Sequence, residues 1–124
     1  MESEKVILSA TLRLTPGDRM EIEAQMADYL GRRRDKQPLE YPSAGSTFKR
    51  PEGYFAAKLI EDCGLKGLQV GGAQVSEKHS GFVVNKGGAT CADVLALCGR
   101  ICDAVMNTYG VALEREVELL GVEA

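Results

Sequence analysis

The 124-residue chain has no tryptophan, only three phenylalanines and four tyrosines, and a single histidine. With so few aromatics the core has to be aliphatic, and nucleic-acid bases would find little to stack on. There is no Cys-x-x-Cys pair, and His79 stands apart from the four cysteines, so the ordinary zinc spacings are missing and no metal site is expected. Cys91, Cys98 and Cys102 fall at helical spacing on one face, with Cys63 elsewhere. They read as small apolar core residues in a reducing compartment. No apolar run reaches the length of a membrane span, and Met1 to Lys5 carries no signal-peptide pattern. A cytoplasmic protein without a membrane partner is expected. Excess positive charge is lacking too: the formal net charge of −3 argues against a nucleic-acid partner.

What is present is enough for one domain over residues 1–124, with 44% hydrophobic and 27% charged residues. Val6 to Leu14 alternates apolar and polar positions, which predicts a half-buried strand. Thr15-Pro16-Gly17-Asp18 predicts a helix start with Thr15 as cap, and Ile22, Met26, Tyr29 and Leu30 form its apolar stripe. The helix is expected to end in Gly31-Arg32-Arg33-Arg34, where cations meet its negative terminus; this outweighs a nucleic-acid patch. Tyr54 to Cys63 predicts a second helix stopped by Gly64. Glycine-punctuated strands follow around Leu68–Val70, Ala73–Val75 and Gly81–Asn85. Thr90 and Asp93 form a capping box that opens the longest helix, with Val94, Leu95, Cys98, Ile101, Cys102, Val105, Met106 and Tyr109 as its apolar face. Leu113 to Leu120 alternates again and predicts a last strand with Glu114, Glu116 and Glu118 on an exposed face. The order β-α-loop-α-β-β-β-α-β predicts an α+β fold, an antiparallel or mixed sheet packed against helices.

Lys36 to Pro51 fits neither period. It holds three prolines, a Ser-Ala-Gly-Ser turn, and the cations Lys36, Lys49 and Arg50. Prolines stiffen a loop, and a stiff loop that displays hydroxyls beside cations suits an anionic ligand. Gly71-Gly72 and Gly87-Gly88 match no phosphate-loop spacing and read as strand turns. His79 reads as a turn residue or a polar residue near a substrate.

Several stretches together carry a resemblance: Lys36-Gln37-Pro38, Pro42 through Pro51, Leu65-Lys66-Gly67, Gly72 through Ser76, His79 through Asn85, and Leu113 through Val117. In order and spacing they resemble the C-terminal, substrate-binding domain of the UDP-N-acetylenolpyruvoylglucosamine reductase (MurB) family, in its shorter type, from about Val6 to Gly121. The resemblance implies a peptidoglycan-precursor enzyme. NADPH reduces FAD, a hydride passes to C3 of the enolpyruvyl group of UDP-N-acetylglucosamine enolpyruvate, and an acid protonates C2. It places the proton donor at Ser46, a partner in stabilising the enolic intermediate at Glu116, and a diphosphate ligand at Lys36. Ser43, Gly45, Lys49 and Arg50 complete the implied substrate contacts. Arg50 stands where many relatives have asparagine, and Glu118 where arginine is frequent. The resemblance also implies that the family's FAD-binding domain is missing from this chain. The isolated chain is then expected to be inactive, with no cofactor-binding residues and no tight FAD binding. Two rival readings are a stand-alone UDP-sugar or nucleotide module without catalysis, and an interaction protein that uses its basic helix end.

Overall fold

The computed structural model describes residues 6–121. The chain divides into two compact units, Met1–Arg32 and Arg33–Ala124. In the first, Val6 to Leu14 forms no strand, and its apolar side chains stand exposed, Leu8 at 91%. The alternation is real, but a strand exists only as one member of a ladder, and no described residue pairs with it. Helix α1 (Arg19–Lys36) then starts four residues after Thr15. Asp18, not Thr15, supplies the capping oxygen, accepting from the Glu21 N–H at 3.0 Å. The predicted stripe of Ile22, Met26, Tyr29 and Leu30 is on the helix, but none of its residues is buried.

The second unit is a four-stranded antiparallel sheet with two helices. Its elements are β1 (Ser43–Ser46), α2 (Ala56–Asp62), β2 (Gln69–Val70), β3 (Ala73–Val75), β4 (Phe82–Asn85) and α3 (Cys91–Tyr109), and the sheet order is β1-β4-β3-β2. The α+β class expected from the pattern is therefore the class observed. The period of two sorts each strand. Ala73, Val75 and Val83 join the helix-packed core, while Gln74 and its partner Val84 face the Pro38–Tyr41 turn. Ile60 from α2 and Leu97, Ile101 and Val105 from α3 complete an aliphatic core, each side chain fully buried. Each such burial contributes roughly 1.5–3 kcal/mol.

Local signals set the helix ends. Thr90 Oγ1 accepts from Asp93 N–H at 3.1 Å, and Asp93 Oδ2 accepts from Thr90 N–H at 2.9 Å, the reciprocal capping box read from the sequence. Gly110 ends α3 in the left-handed region. The face of α3 is shifted from the predicted one: Leu97 is fully buried, whereas Met106, Tyr109 and Cys91 are exposed. All four cysteines are free thiols, with Cys98 in the core. Burial pushes the Cys98 and Cys102 thiols up, which favours their protonated form.

Leu113 to Leu120 does not form the expected strand. It contributes one antiparallel bridge, Arg115 to Phe48. Two flanking hydrogen bonds support it, Lys49 N–H to Glu114 O at 2.8 Å and Glu116 N–H to Thr47 O at 2.9 Å. The Pro-rich stretch, expected to be irregular throughout, contains β1 instead. Among the described residues no helix is long and apolar enough to cross a membrane.

Candidate active site

β1 enters the sheet with a fault in its register. Ser43 pairs with Val84 and Ser46 with Phe82, so four residues face three. The extra residue is a β-bulge, and Gly45 takes the positive φ of +84° that it requires. A bulge re-aims the side chains beside it. Here it precedes Ser46, which is exposed and lines a recess of about 210 Å³. Ser43 braces the same bulge, its Oγ accepting from Gly45 N–H at 3.4 Å. In this structure the implied substrate contacts Ser43 and Gly45 serve to shape the strand that presents Ser46.

Thr47, next along, is 3% exposed and anchors the site in three directions. Its N–H donates to Gly81 O at 2.8 Å, its Oγ1 accepts from Val83 N–H at 3.0 Å, and its carbonyl accepts from Glu116 N–H. The last bond brings the backbone of Glu116 alongside the residue that follows Ser46.

Arg50, Phe55 and His79 line the recess with Ser46. The Arg50 guanidinium lies over the Phe55 ring, 4.1 Å from its centroid. His79 is locked from two sides: its Nδ1 accepts from Gly81 N–H at 3.1 Å, and its ring meets Phe82 edge-on at 4.8 Å. In the neutral imidazole this leaves the proton on Nε2. Gly81 is thus bonded to both Thr47 and His79, and ties the two together.

The other predicted residues lie outside that recess. Lys36 is the exposed last residue of α1. Lys49 is paired with Glu114; that carboxylate first, then Glu116 and Glu118, raise its pKa and hold it charged. Neither Phe55 nor His79 is among the site residues that the family resemblance implies, although the sequence admits His79 as a polar residue near a substrate. His79 carried a weak signal as the sole histidine between two strands; exposed Phe55 carried none. Among the described residues no group of three His, Cys, Asp or Glu side chains is placed to hold a metal.

Residues 37–120 match the family model for UDP-N-acetylenolpyruvoylglucosamine reductase, C-terminal domain. The chain belongs to this family. It is 59% identical over 120 residues to the UDP-N-acetylenolpyruvoylglucosamine reductase of Agathobacter rectalis, covering 97% of this chain and 38% of that protein. The reductase of Clostridium novyi is 56% identical over 119 residues, covering 96% of this chain and 39% of its relative. The crystal structure of the reductase (MurB) from Thermus caldophilus superposes with a TM-score of 0.68 at 39% identity, over 86% of this chain and 37% of the other. The chain therefore spans about two-fifths of the length of these relatives.

Proposed function

We propose that this chain is the substrate-binding and proton-donating part of a UDP-N-acetylenolpyruvoylglucosamine reductase, acting in the cytoplasm on a peptidoglycan precursor. The observation that carries the reading is the bulge at Gly45, which turns Ser46 into a recess shared with a guanidinium and an imidazole. A serine hydroxyl is a weak acid. It gives up a proton only where fixed positive charge and dipoles stabilise the oxygen left behind. Arg50 supplies the charge, and the Nε2–H of His79 is a second donor in the same recess. In the proposed step the Ser46 hydroxyl hands its proton to C2 of the enolpyruvyl group. Glu116, carried beside Thr47, acts on the enolic carboxyl. Lys36, the exposed cation at the end of α1, takes the diphosphate.

FAD and NADPH belong to the complete enzyme in this reading. One glycine turn of this chain, Gly71-Gly72, has no room for the phosphates of a flavin dinucleotide. It is filled from within. A Cβ on Gly71 would lie 2.4 Å from the Asp93 carboxyl carbon, and one on Gly72 would lie 2.3 Å from Gly87 O. In this reading hydride delivery belongs to the portion of the relatives that this chain does not span, and the proton step to this chain.

In the complete enzyme, Ser46→Ala is expected to leave reduction of the flavin by NADPH intact. It should lower kcat for product formation by about 10²–10⁴-fold, as loss of a general acid does. Stopped-flow absorbance separates the two half-reactions. Wild-type turnover by the variant would remove the proton-donor role.

A further inference from the structure

Phe55 occupies the N-cap of α2 in an extended conformation (φ −114°, ψ 120°), and its side chain makes no capping hydrogen bond. Serine, threonine or aspartate would stabilise the helix at that position, and an aromatic ring cannot accept from its free N–H groups. Core packing does not explain the choice either, because the side chain is 60% exposed. The ring does meet the Arg50 guanidinium, 4.1 Å from its centroid, at the edge of the Ser46 recess. Among the described residues no carboxylate pairs with Arg50. Its charge is open to a ligand.

We infer that Phe55 is a positioning residue: its ring holds the Arg50 guanidinium over the Ser46 recess, where the guanidinium takes an oxyanion of the substrate. The inference rests on the function proposed above. A long arginine side chain loses rotamer freedom when it grips an anion, and a cation–π contact made beforehand removes part of that cost. Giving up a helix cap for this purpose fits the general pattern in which local rules are broken at functional sites. The substrate offers two oxyanions, the enolpyruvyl carboxylate and the diphosphate, and a guanidinium fork matches either.

Substrate affinity and steady-state kinetics of the complete enzyme test this. Phe55→Leu should weaken substrate binding and raise KM by about two- to five-fold, with the thermal midpoint little changed. Phe55→Tyr keeps the ring and should keep wild-type affinity. In an Arg50→Ala background, Phe55→Leu should have no further effect. UDP-N-acetylglucosamine, which lacks the carboxylate, identifies the anion. An equal loss with this ligand assigns Arg50 to the diphosphate; a loss confined to the enolpyruvyl substrate assigns it to the carboxylate. Unchanged affinity in Phe55→Leu, loss in Phe55→Tyr, or an effect that persists without Arg50 would overturn the inference. Ser46→Ala measured alongside keeps the failures apart, since wild-type turnover there removes the reading of the site itself.

Discussion

Thr47 shows how much of the site hangs on one side chain. Its buried hydroxyl oxygen satisfies the N–H of Val83, and its backbone bonds to Gly81 and Glu116 on either side. Thr47→Val keeps the shape but leaves a buried N–H without a partner, which costs about 1–3 kcal/mol. Urea denaturation should show a lower midpoint for this variant, and Thr47→Ser, which retains the acceptor, should lose less. Equal stability of Thr47→Val and wild type would mean that the bond contributes nothing. In the sequence, Thr47 was one hydroxyl among several in a Pro-rich stretch. Its partner lies 36 residues away, and no local pattern connects two such positions. Ser46 was legible only through the family resemblance, whereas the bulge that aims it follows from pairing with β4.

At the scale of elements, the start of α3 divides in the same way. Thr90 and Asp93 are three residues apart, so their reciprocal bonds could be read directly. The third contact of Asp93 could not: its carboxylate also faces the Gly71-Gly72 turn. Hydrogen bonds from the Thr90 backbone and side chain, then from the Gly72 N–H, hold its pKa below the usual value of 3.8. A carboxylate depressed in the folded state stabilises the protein above its unfolded pKa, and that contribution is lost as pH falls through the folded value. Asp93→Asn should therefore be less stable than wild type at neutral pH. The gap should close as pH falls below about 4, as followed by thermal melts across that range. A gap independent of pH would exclude charge as the cause. The two alternating segments fared differently from the cap. Val6–Leu14 and Leu113–Leu120 have strand periodicity, yet one finds no described partner and the other a single bridge. Periodicity states which faces a strand would have; hydrogen-bonding partners decide whether it forms.

At the scale of the whole molecule, every buried core residue among the described residues lies between Phe48 and Val105, inside the Arg33–Ala124 unit. Residues 33–124 alone should therefore unfold cooperatively, with a thermal midpoint within about 5 °C of the full chain. Circular dichroism melts of the two would show it. A broad, non-cooperative transition in the shorter chain would mean that residues 1–32 are required for the core.

The sequence by itself determined the α+β class, the aliphatic core, α2 and α3, the three glycine-bounded strands and the capping box, because each is written in neighbours a few positions apart. Its ordered motifs also carried the family. Only the tertiary structure decided which alternating segments become strands and that the Pro-rich stretch contains β1. It also placed His79, Arg50 and Phe55 around Ser46. The strand pairings of β1 and Arg115 and the approach of His79 to Ser46 depend on partners more than 30 residues distant, and a hydrogen-bonded ladder or a shared recess exists only once both sides have been brought together.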